Sequence, residues 1–227
     1  DPTLDRSTGL LIPQLRTSNR LGVGLALPYF VRLGDNRDLT LTPYLSPETR
    51  TLEARYRQVF AHGNLTIDAA LSQDSLIAGQ LRGRAQAQGA FDIGRDLRLD
   101  FDVSTTGDPA YLLDYGLSDL DRTQSHVMLT RVRPDSLFTA GLISWQSTRE
   151  GESFESLPPV IARAGWERRR ALGFGIATLG AEVEGFVRTA AGSGDAARDV
   201  LHLGALAGWQ ANRVFGPGIV AELRGAL

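Results

Sequence analysis

Alternation of apolar and polar residues with a period of two is the feature that most restricts how this chain can fold. In residues 81–94, leucine, glycine, alanine and phenylalanine occupy one set of alternate positions, while arginine and glutamine fill most of the others. Because neighbouring residues of a β-strand point to opposite sides, this segment predicts a strand with one apolar and one strongly polar face. The pattern resumes at residues 97–104, so the two segments predict a hairpin with a tight turn near residues 93–96.

Similar segments recur along the chain and are separated by turn-forming residues such as Gly34-Asp35-Asn36 and Ser46-Pro47-Glu48. Strand character also extends over residues 38–45, 52–57, 64–71, 161–169, 173–189, 199–210 and 219–227. Two longer, turn-rich connections are predicted at residues 105–123 and 147–159. We expect about twelve strands and no amphipathic helix.

The side chains on the two faces distinguish a soluble β-sandwich from a membrane barrel. A sandwich core, about 10 Å thick, needs large apolar side chains, but the apolar positions here are often alanine or glycine. A barrel wall fits better, because lipid accepts any apolar residue outside and a wet lumen accepts charges inside. The barrel has to close, since unpaired backbone groups in hydrocarbon are costly. The predicted fold is all-β, an antiparallel meander that forms part of a large transmembrane outer-membrane β-barrel.

Composition excludes several other kinds of protein. No run of apolar residues approaches the roughly 18 that a membrane-spanning helix needs. The chain has no cysteine, which excludes disulfides, thiolate catalysis and cysteine metal sites. Its net charge of -2 argues against a nucleic-acid-binding protein. We find no catalytic residue set, no metal site and no cofactor-binding motif, and we predict that the chain is not an enzyme.

Four sequence blocks, in this order, resemble one family of outer-membrane proteins. The first is Leu27-Pro28-Tyr29-Phe30, followed by the sequence DNRDLTLTP at residues 35–43. The later blocks are Leu52-Glu53-Ala54-Arg55-Tyr56-Arg57, Asp108-Pro109-Ala110-Tyr111-Leu112-Leu113-Asp114-Tyr115 and Leu157-Pro158-Pro159. In composition and order, these blocks are similar to the start of the barrel in the LPS-assembly protein family, LptD.

This resemblance implies a very large barrel that inserts lipopolysaccharide into the outer leaflet of the bacterial outer membrane. A plug lipoprotein, LptE, would fill the lumen, and the periplasmic bridge protein LptA would deliver lipid. Residues 1–20 would be a lead-in segment from the periplasmic side, and residues 21–227 would supply about twelve strands of the N-terminal half of the barrel. The chain would then be a fragment, without the family's periplasmic jellyroll and without the rest of the barrel.

Pro28 and Pro43 are the predicted lateral-gate residues. Proline has no backbone N–H, so each of them removes a possible hydrogen bond from the strand ladder. The resemblance places the family's gate prolines at these two positions. A seam weakened in this way would open sideways for lipid; the alternative is that both prolines are ordinary strand-end breakers.

A row of charged residues on the lumenal face is the second candidate site. It comprises Arg55, Arg57, Arg82, Arg84, Arg98, Asp100 and Asp102. Arginine can bind phosphate through two parallel hydrogen bonds, so the row could guide phosphorylated sugar head groups or contact the plug lipoprotein. The alternative, which the balance of charges favours, is a solvated barrel wall.

Two other functions remain open from the sequence. A passive outer-membrane porin would conduct ions and would need neither lipopolysaccharide nor a plug lipoprotein. A lipid-modifying enzyme barrel would need a serine, a histidine and an acid that converge at one rim. Ser125 and His126 cannot supply such a pair, because adjacent residues in a strand point to opposite faces.

Overall fold

The computed structural model describes residues 7–148, 160–186 and 199–227. These residues form 15 β-strands and one short helix. The strands are β1 (Gly9–Leu10), β2 (Gln14–Ser18), β3 (Gly22–Ala26), β4 (Tyr29–Arg32), β5 (Arg37–Leu45), β6 (Thr49–Phe60), β7 (Gly63–Asp74), β8 (Leu81–Ile93), β9 (Leu97–Thr106), β10 (Arg122–Arg133), β11 (Ser136–Ser147), β12 (Ile161–Leu172), β13 (Gly175–Phe186), β14 (Val200–Phe215) and β15 (Ile219–Ala226). The helix α1 (Tyr111–Asp114) lies between β9 and β10. The sequence block Leu157-Pro158-Pro159 lies outside the described residues.

The strands belong to one sheet, and from β5 onward each lies beside its neighbour in sequence. The pairings of β5 with β6, of β6 with β7 and of β12 with β13 are antiparallel and uninterrupted. The predicted all-β antiparallel meander is therefore confirmed. The hairpin that the alternation predicts corresponds to β8 and β9, with its turn at residues 94–96.

The first four strands form a folded edge of this sheet. β2 pairs with β3, and β1 pairs with β4. Both β3 and β4 pair with β5 in one continuous register, and only Leu27 and Pro28 separate them. We call residues 22–32 the β3–β4 strand. Part of the predicted lead-in segment, residues 1–20, thus contributes β1 and β2 to the sheet.

The chain divides into two compact units. The first contains β1 to β7, α1 and the larger part of β8, and the second contains β12 to β15. Residues of β9, β10 and β11 are shared between the two.

The apolar face of the first unit remains open. Leu52 and Leu71 are paired across β6 and β7, and their exposed fractions are 50% and 57%. Ile67 is also exposed, and Leu39 and Leu65 are half-buried. Apolar side chains exposed on adjacent strands mark a surface that meets another apolar phase. No helix among the described residues has the length and apolar character needed to cross a membrane.

The buried residues of the first unit lie mainly on its polar face. Alternation and register place Tyr44, Ala70 and Ser72 on this face, and none of them is more than 3% exposed. The connection that contains α1 packs against part of the same face, where the Tyr111 hydroxyl lies 2.8 Å from the Ser72 hydroxyl. The interior of this unit is therefore a contact between polar strand positions and a connecting segment.

Candidate functional site

Pro43 removes one hydrogen bond between β5 and the β3–β4 strand. The backbone N–H of Leu27 donates to the carbonyl oxygen of Pro43 at 3.0 Å. In an antiparallel ladder, two residues paired in this way normally exchange both bonds, but Pro43 has no N–H to donate in return. One backbone bond therefore holds this pair where an ordinary pair has two.

Pro28 removes the equivalent bond on the opposite side of the β3–β4 strand. The backbone N–H of Leu11 donates to the carbonyl oxygen of Pro28 at 2.8 Å, and again no N–H is available for the return bond. Pro28 is buried and Pro43 is exposed. The two prolines thus weaken the same strand on both of its edges, at adjacent positions.

Acidic side chains balance most of the predicted lumenal arginines. Three of the ion pairs are Arg55–Asp68 at 2.7 Å, Arg57–Asp38 at 2.9 Å and Arg98–Asp92 at 3.9 Å. The Nε of Arg84 is buried and has no hydrogen-bond partner among the described residues. Asp102 accepts a hydrogen bond from the side-chain amide of Gln86 at 2.8 Å, and Asp100 also has an interaction partner. Of the residues in this row, the structure gathers only Arg82 into a cluster.

Arg82 is the centre of a buried ion cluster. Its guanidinium group lies 3.1 Å from Asp74, 2.8 Å from Asp108 and 2.7 Å from Asp114. Only 1% of its side chain is exposed. Two nitrogens of Arg82 bind the two oxygens of Asp108, at 2.9 and 2.8 Å, which is the forked geometry that arginine favours with carboxylates. A buried cation needs such partners, because an unpaired charge in the interior is strongly unfavourable.

Tyrosines of the same connection complete this cluster with a hydroxyl network. The Tyr115 hydroxyl donates to Asp74 at 2.8 Å and lies 2.8 Å from the Thr49 hydroxyl. The Tyr111 ring stacks on the Tyr115 ring at 4.4 Å between centroids. Burial raises the pKa of Tyr111 to about 12, and it also raises the pKa of Tyr115. Both phenols therefore stay neutral over the physiological pH range and serve as hydrogen-bonding groups.

Two further arginines connect the edge of the sheet to this polar face. Arg16 on β2 forms two hydrogen bonds with the Glu53 carboxylate on β6, at 2.6 and 3.0 Å. Arg20, in the turn between β2 and β3, forms an ion pair with Asp114 of α1. The first hairpin is therefore held by side chains as well as by strand pairing.

Sequence reasoning missed Arg16, Arg20 and the acids that surround Arg82. The pattern marked Asp108, Tyr111 and Asp114 only as part of a family-like block in a turn-rich connection. The sequence carries no periodic signal for these three residues, because α1 has only four residues and Asp108 lies before it. In the parts of the chain that the structure describes, no group of three or more His, Cys, Asp or Glu side chains is arranged so that it could hold a metal ion.

Comparison with known proteins bears directly on the family. No protein-family model matches the chain. The LPS-assembly protein LptD of Idiomarina loihiensis is 29% identical over 125 residues, which is 54% of this chain and 16% of that protein. LptD of Xylella fastidiosa is 30% identical over 151 residues, or 63% of this chain and 19% of the relative. LptD of Xanthomonas oryzae pv. oryzae is 26% identical over 161 residues, or 67% and 20%.

The matched lengths show how this chain relates to those proteins. It spans only about a fifth of the curated relatives that it matches. Independent relatives that carry the same name agree with the resemblance based on the four sequence blocks, and the antiparallel sheet agrees with the fold that this resemblance implies. The predicted resemblance is therefore confirmed: the chain is similar to LptD proteins over 54% to 67% of its length.

Proposed function

We propose that this chain forms part of an outer-membrane barrel that inserts lipopolysaccharide into the outer leaflet of the bacterial outer membrane. The lipid would leave sideways, at the β3–β4 strand that carries Pro28 and faces Pro43. The observation that supports this site is that the β3–β4 strand lacks one backbone hydrogen bond toward Pro43, at Leu27, and one toward Leu11, at the adjacent Pro28. The name of the relatives, LPS-assembly protein, supports the class of substrate.

The missing hydrogen bonds favour local separation of the β3–β4 strand from its neighbours. Each missing ladder bond corresponds to about 0.5–1.5 kcal/mol in water, and the effect is larger in hydrocarbon because no water replaces the lost partner. Two such losses beside each other lower the free energy needed to separate the β3–β4 strand from its neighbours. The uninterrupted pairing of β5 with β6 and of β6 with β7 leaves the rest of the wall intact.

Partners follow from the same proposal. Lipopolysaccharide is the proposed cargo, LptE the proposed plug of the lumen, and LptA the proposed periplasmic donor. The charged lumenal row would serve mainly as a balanced wall, because acids pair with Arg55, Arg57 and Arg82. Among the described residues of the row, Arg84 is the arginine without an ion pair, and direct contact with lipid phosphate or with the plug is proposed for its terminal nitrogens.

The experiment that tests the exit is the double substitution Pro28→Ala and Pro43→Ala in the complete protein. Each alanine supplies an N–H that faces an existing carbonyl, so both ladder bonds can form. We expect less lipopolysaccharide at the cell surface, with an unchanged yield of folded barrel. Pro47→Ala is the matched control, because Pro47 is an exposed residue of the turn between β5 and β6.

The outcomes separate the competing functions. Normal surface delivery in the double variant, with a folded barrel, would reduce both prolines to strand breakers. A porin would show ion conductance that the proline substitutions do not change. A lipid-modifying enzyme would release acyl chains from phospholipid, which an assay on the purified complete protein would detect.

A further inference from the structure

We propose that Arg16 and Glu53 form a latch on the polar face, which holds the edge of the sheet across the position of Pro28. This inference rests on the proposed function, because a latch matters to transport only if the β3–β4 strand moves. The contact itself can be tested without any lipid.

The latch bridges strands that are not neighbours. Arg16 lies on β2 and Glu53 on β6, and the β3–β4 strand and β5 lie between them. Glu53 is paired with Thr42 on β5, and the register of β5 with β3 and β4 places Thr42 opposite Pro28. The ion pair therefore spans the position, at Leu27 and Pro28, where the β3–β4 strand lacks backbone hydrogen bonds.

Tyr44 and Gly24 position the Arg16 side chain over the face of the sheet. Its guanidinium carbon lies 5.3 Å from the centroid of the Tyr44 ring, a distance at which a cation is attracted to an aromatic face. Gly24, the residue paired with Arg16, leaves room for that ring, because a Cβ at this position would lie 2.5 Å from Cε2 of Tyr44. The ring and the glycine together position the arginine toward Glu53.

Solvent access distinguishes this ion pair from the buried cluster around Arg82. The side chains of Arg16 and Glu53 are 37% and 23% exposed, whereas that of Arg82 is 1% exposed. Water and salt ions can reach the Arg16–Glu53 pair, so it can break and re-form without leaving a buried charge. A contact of this kind suits a strand that has to part and return.

A second contact fixes the end of the same hairpin. Arg20 forms an ion pair with the buried Asp114, and the Ser46 hydroxyl donates to the Leu21 carbonyl at 2.6 Å. The turn between β2 and β3 is therefore fastened to α1 and to the turn that follows β5. Breakage of the Arg16–Glu53 pair would free the middle of the hairpin while this end stays in place.

The test measures local opening by hydrogen exchange in the complete protein. The reporter is the amide of Leu27, which donates to Pro43 across the weakened row. In Glu53→Gln, we expect this amide to exchange roughly 2- to 5-fold faster, as expected for the loss of a partly exposed ion pair. High salt should raise the exchange rate of the unmodified protein toward that of the variant and should leave the variant nearly unchanged.

Two further variants make the result specific. Arg16→Gln should reproduce the faster exchange, and the exchanged pair Arg16→Glu with Glu53→Arg should slow it again. Glu167→Gln is the matched control, because this acid pairs with Arg169 on β12 and should not affect Leu27. Unchanged exchange at Leu27 in both single variants would overturn the latch.

The proposed latch and the proposed lipid exit are tested by different measurements. The exchange experiment contains no lipid transport, so a negative result there leaves the proline experiment standing. Unchanged lipopolysaccharide delivery in the double proline variant overturns the exit, whatever the exchange of Leu27 shows. Faster exchange together with a transport defect in the proline variant supports both.

Discussion

Arg82 on β8 and the neighbouring Arg168 and Arg169 on β12 are all strand arginines, yet their surroundings differ. Arg82 is 1% exposed and is surrounded by three aspartates, two of which come from the connection around α1. Arg168 and Arg169 are 56% and 65% exposed, and their acidic partners, Asp135 and Glu167, are also partly open to solvent. The alternation of residues determines the face of the strand on which a side chain lies. Contact with a segment that is distant in sequence determines whether that side chain is buried or exposed to solvent.

The difference has an electrostatic consequence. Exposed ion pairs in water contribute little to stability, commonly less than about 1 kcal/mol. A buried pair is different, because removal of one member leaves the others charged and without solvent. The two regions should therefore respond very differently to the same substitution.

The largest expected effect is at Arg82. Arg82→Met would leave Asp74, Asp108 and Asp114 without their cation, and we expect a loss of about 3–5 kcal/mol in the free energy of unfolding. Arg98→Met is the matched control, because Arg98 is 56% exposed and lies 3.9 Å from Asp92. Urea unfolding of the complete barrel in detergent would measure both. Similar midpoints for the two variants would contradict the buried cluster.

A smaller effect is expected from backbone packing. Gly89 on β8 and Gly225 on β15 are both strand glycines, but an added Cβ at Gly89 would lie 2.7 Å from the Asn64 carbonyl oxygen and 2.7 Å from the Phe101 ring. At Gly225, nothing lies within 4 Å. We expect Gly89→Ala to lower the free energy of unfolding by about 1–3 kcal/mol, and Gly225→Ala to change it by less than about 0.5 kcal/mol. Equal losses in the same urea titration would show that the two regions are packed alike.

Much of the strand pattern was predictable, because it depends on neighbours in sequence. The alternation at residues 81–94 and 97–104 predicts β8, β9 and the turn between them. In the second unit, residues 161–169 and 219–227 correspond to β12 and β15. Each of these segments shows its two faces within a few residues, so no distant contact is needed to recognise it.

The site was less predictable, because its contacts are long-range. Arg82 and Asp114 are 32 residues apart, and Arg16 and Glu53 are 37 residues apart. The sequence marks Arg82 as one more lumenal arginine, and only the fold of the connection after β9 shows that it is buried. The short helix α1 was also missed, since four residues are too few to show a helical period. The strands β1 and β2 have two and five residues and carry little alternation.

The smallest expected effect at neutral pH concerns Tyr111, and it changes sign with pH. This residue lies in the connection between β9 and β10, 1% exposed, and its hydroxyl contacts Ser72 at 2.8 Å. At neutral pH, Tyr111→Phe loses this hydrogen bond, and we expect a destabilisation of about 0.5–1.5 kcal/mol. Burial raises the pKa of Tyr111 to about 12, above the ordinary value of about 10. The stability linked to the neutral phenol is therefore complete below pH 10 and is lost as the pH rises from 10 through 12.

That loss amounts to about 2–3 kcal/mol for a shift of roughly two pH units, and Tyr111→Phe does not undergo it. The variant should therefore be the less stable protein at pH 8 and the more stable one above about pH 11. Urea unfolding of both proteins across this range, with phenolate absorbance followed in parallel, measures the crossing. Two stability curves that stay parallel from pH 8 to pH 12 would show that the pKa of Tyr111 is not raised and that its phenol is open to water.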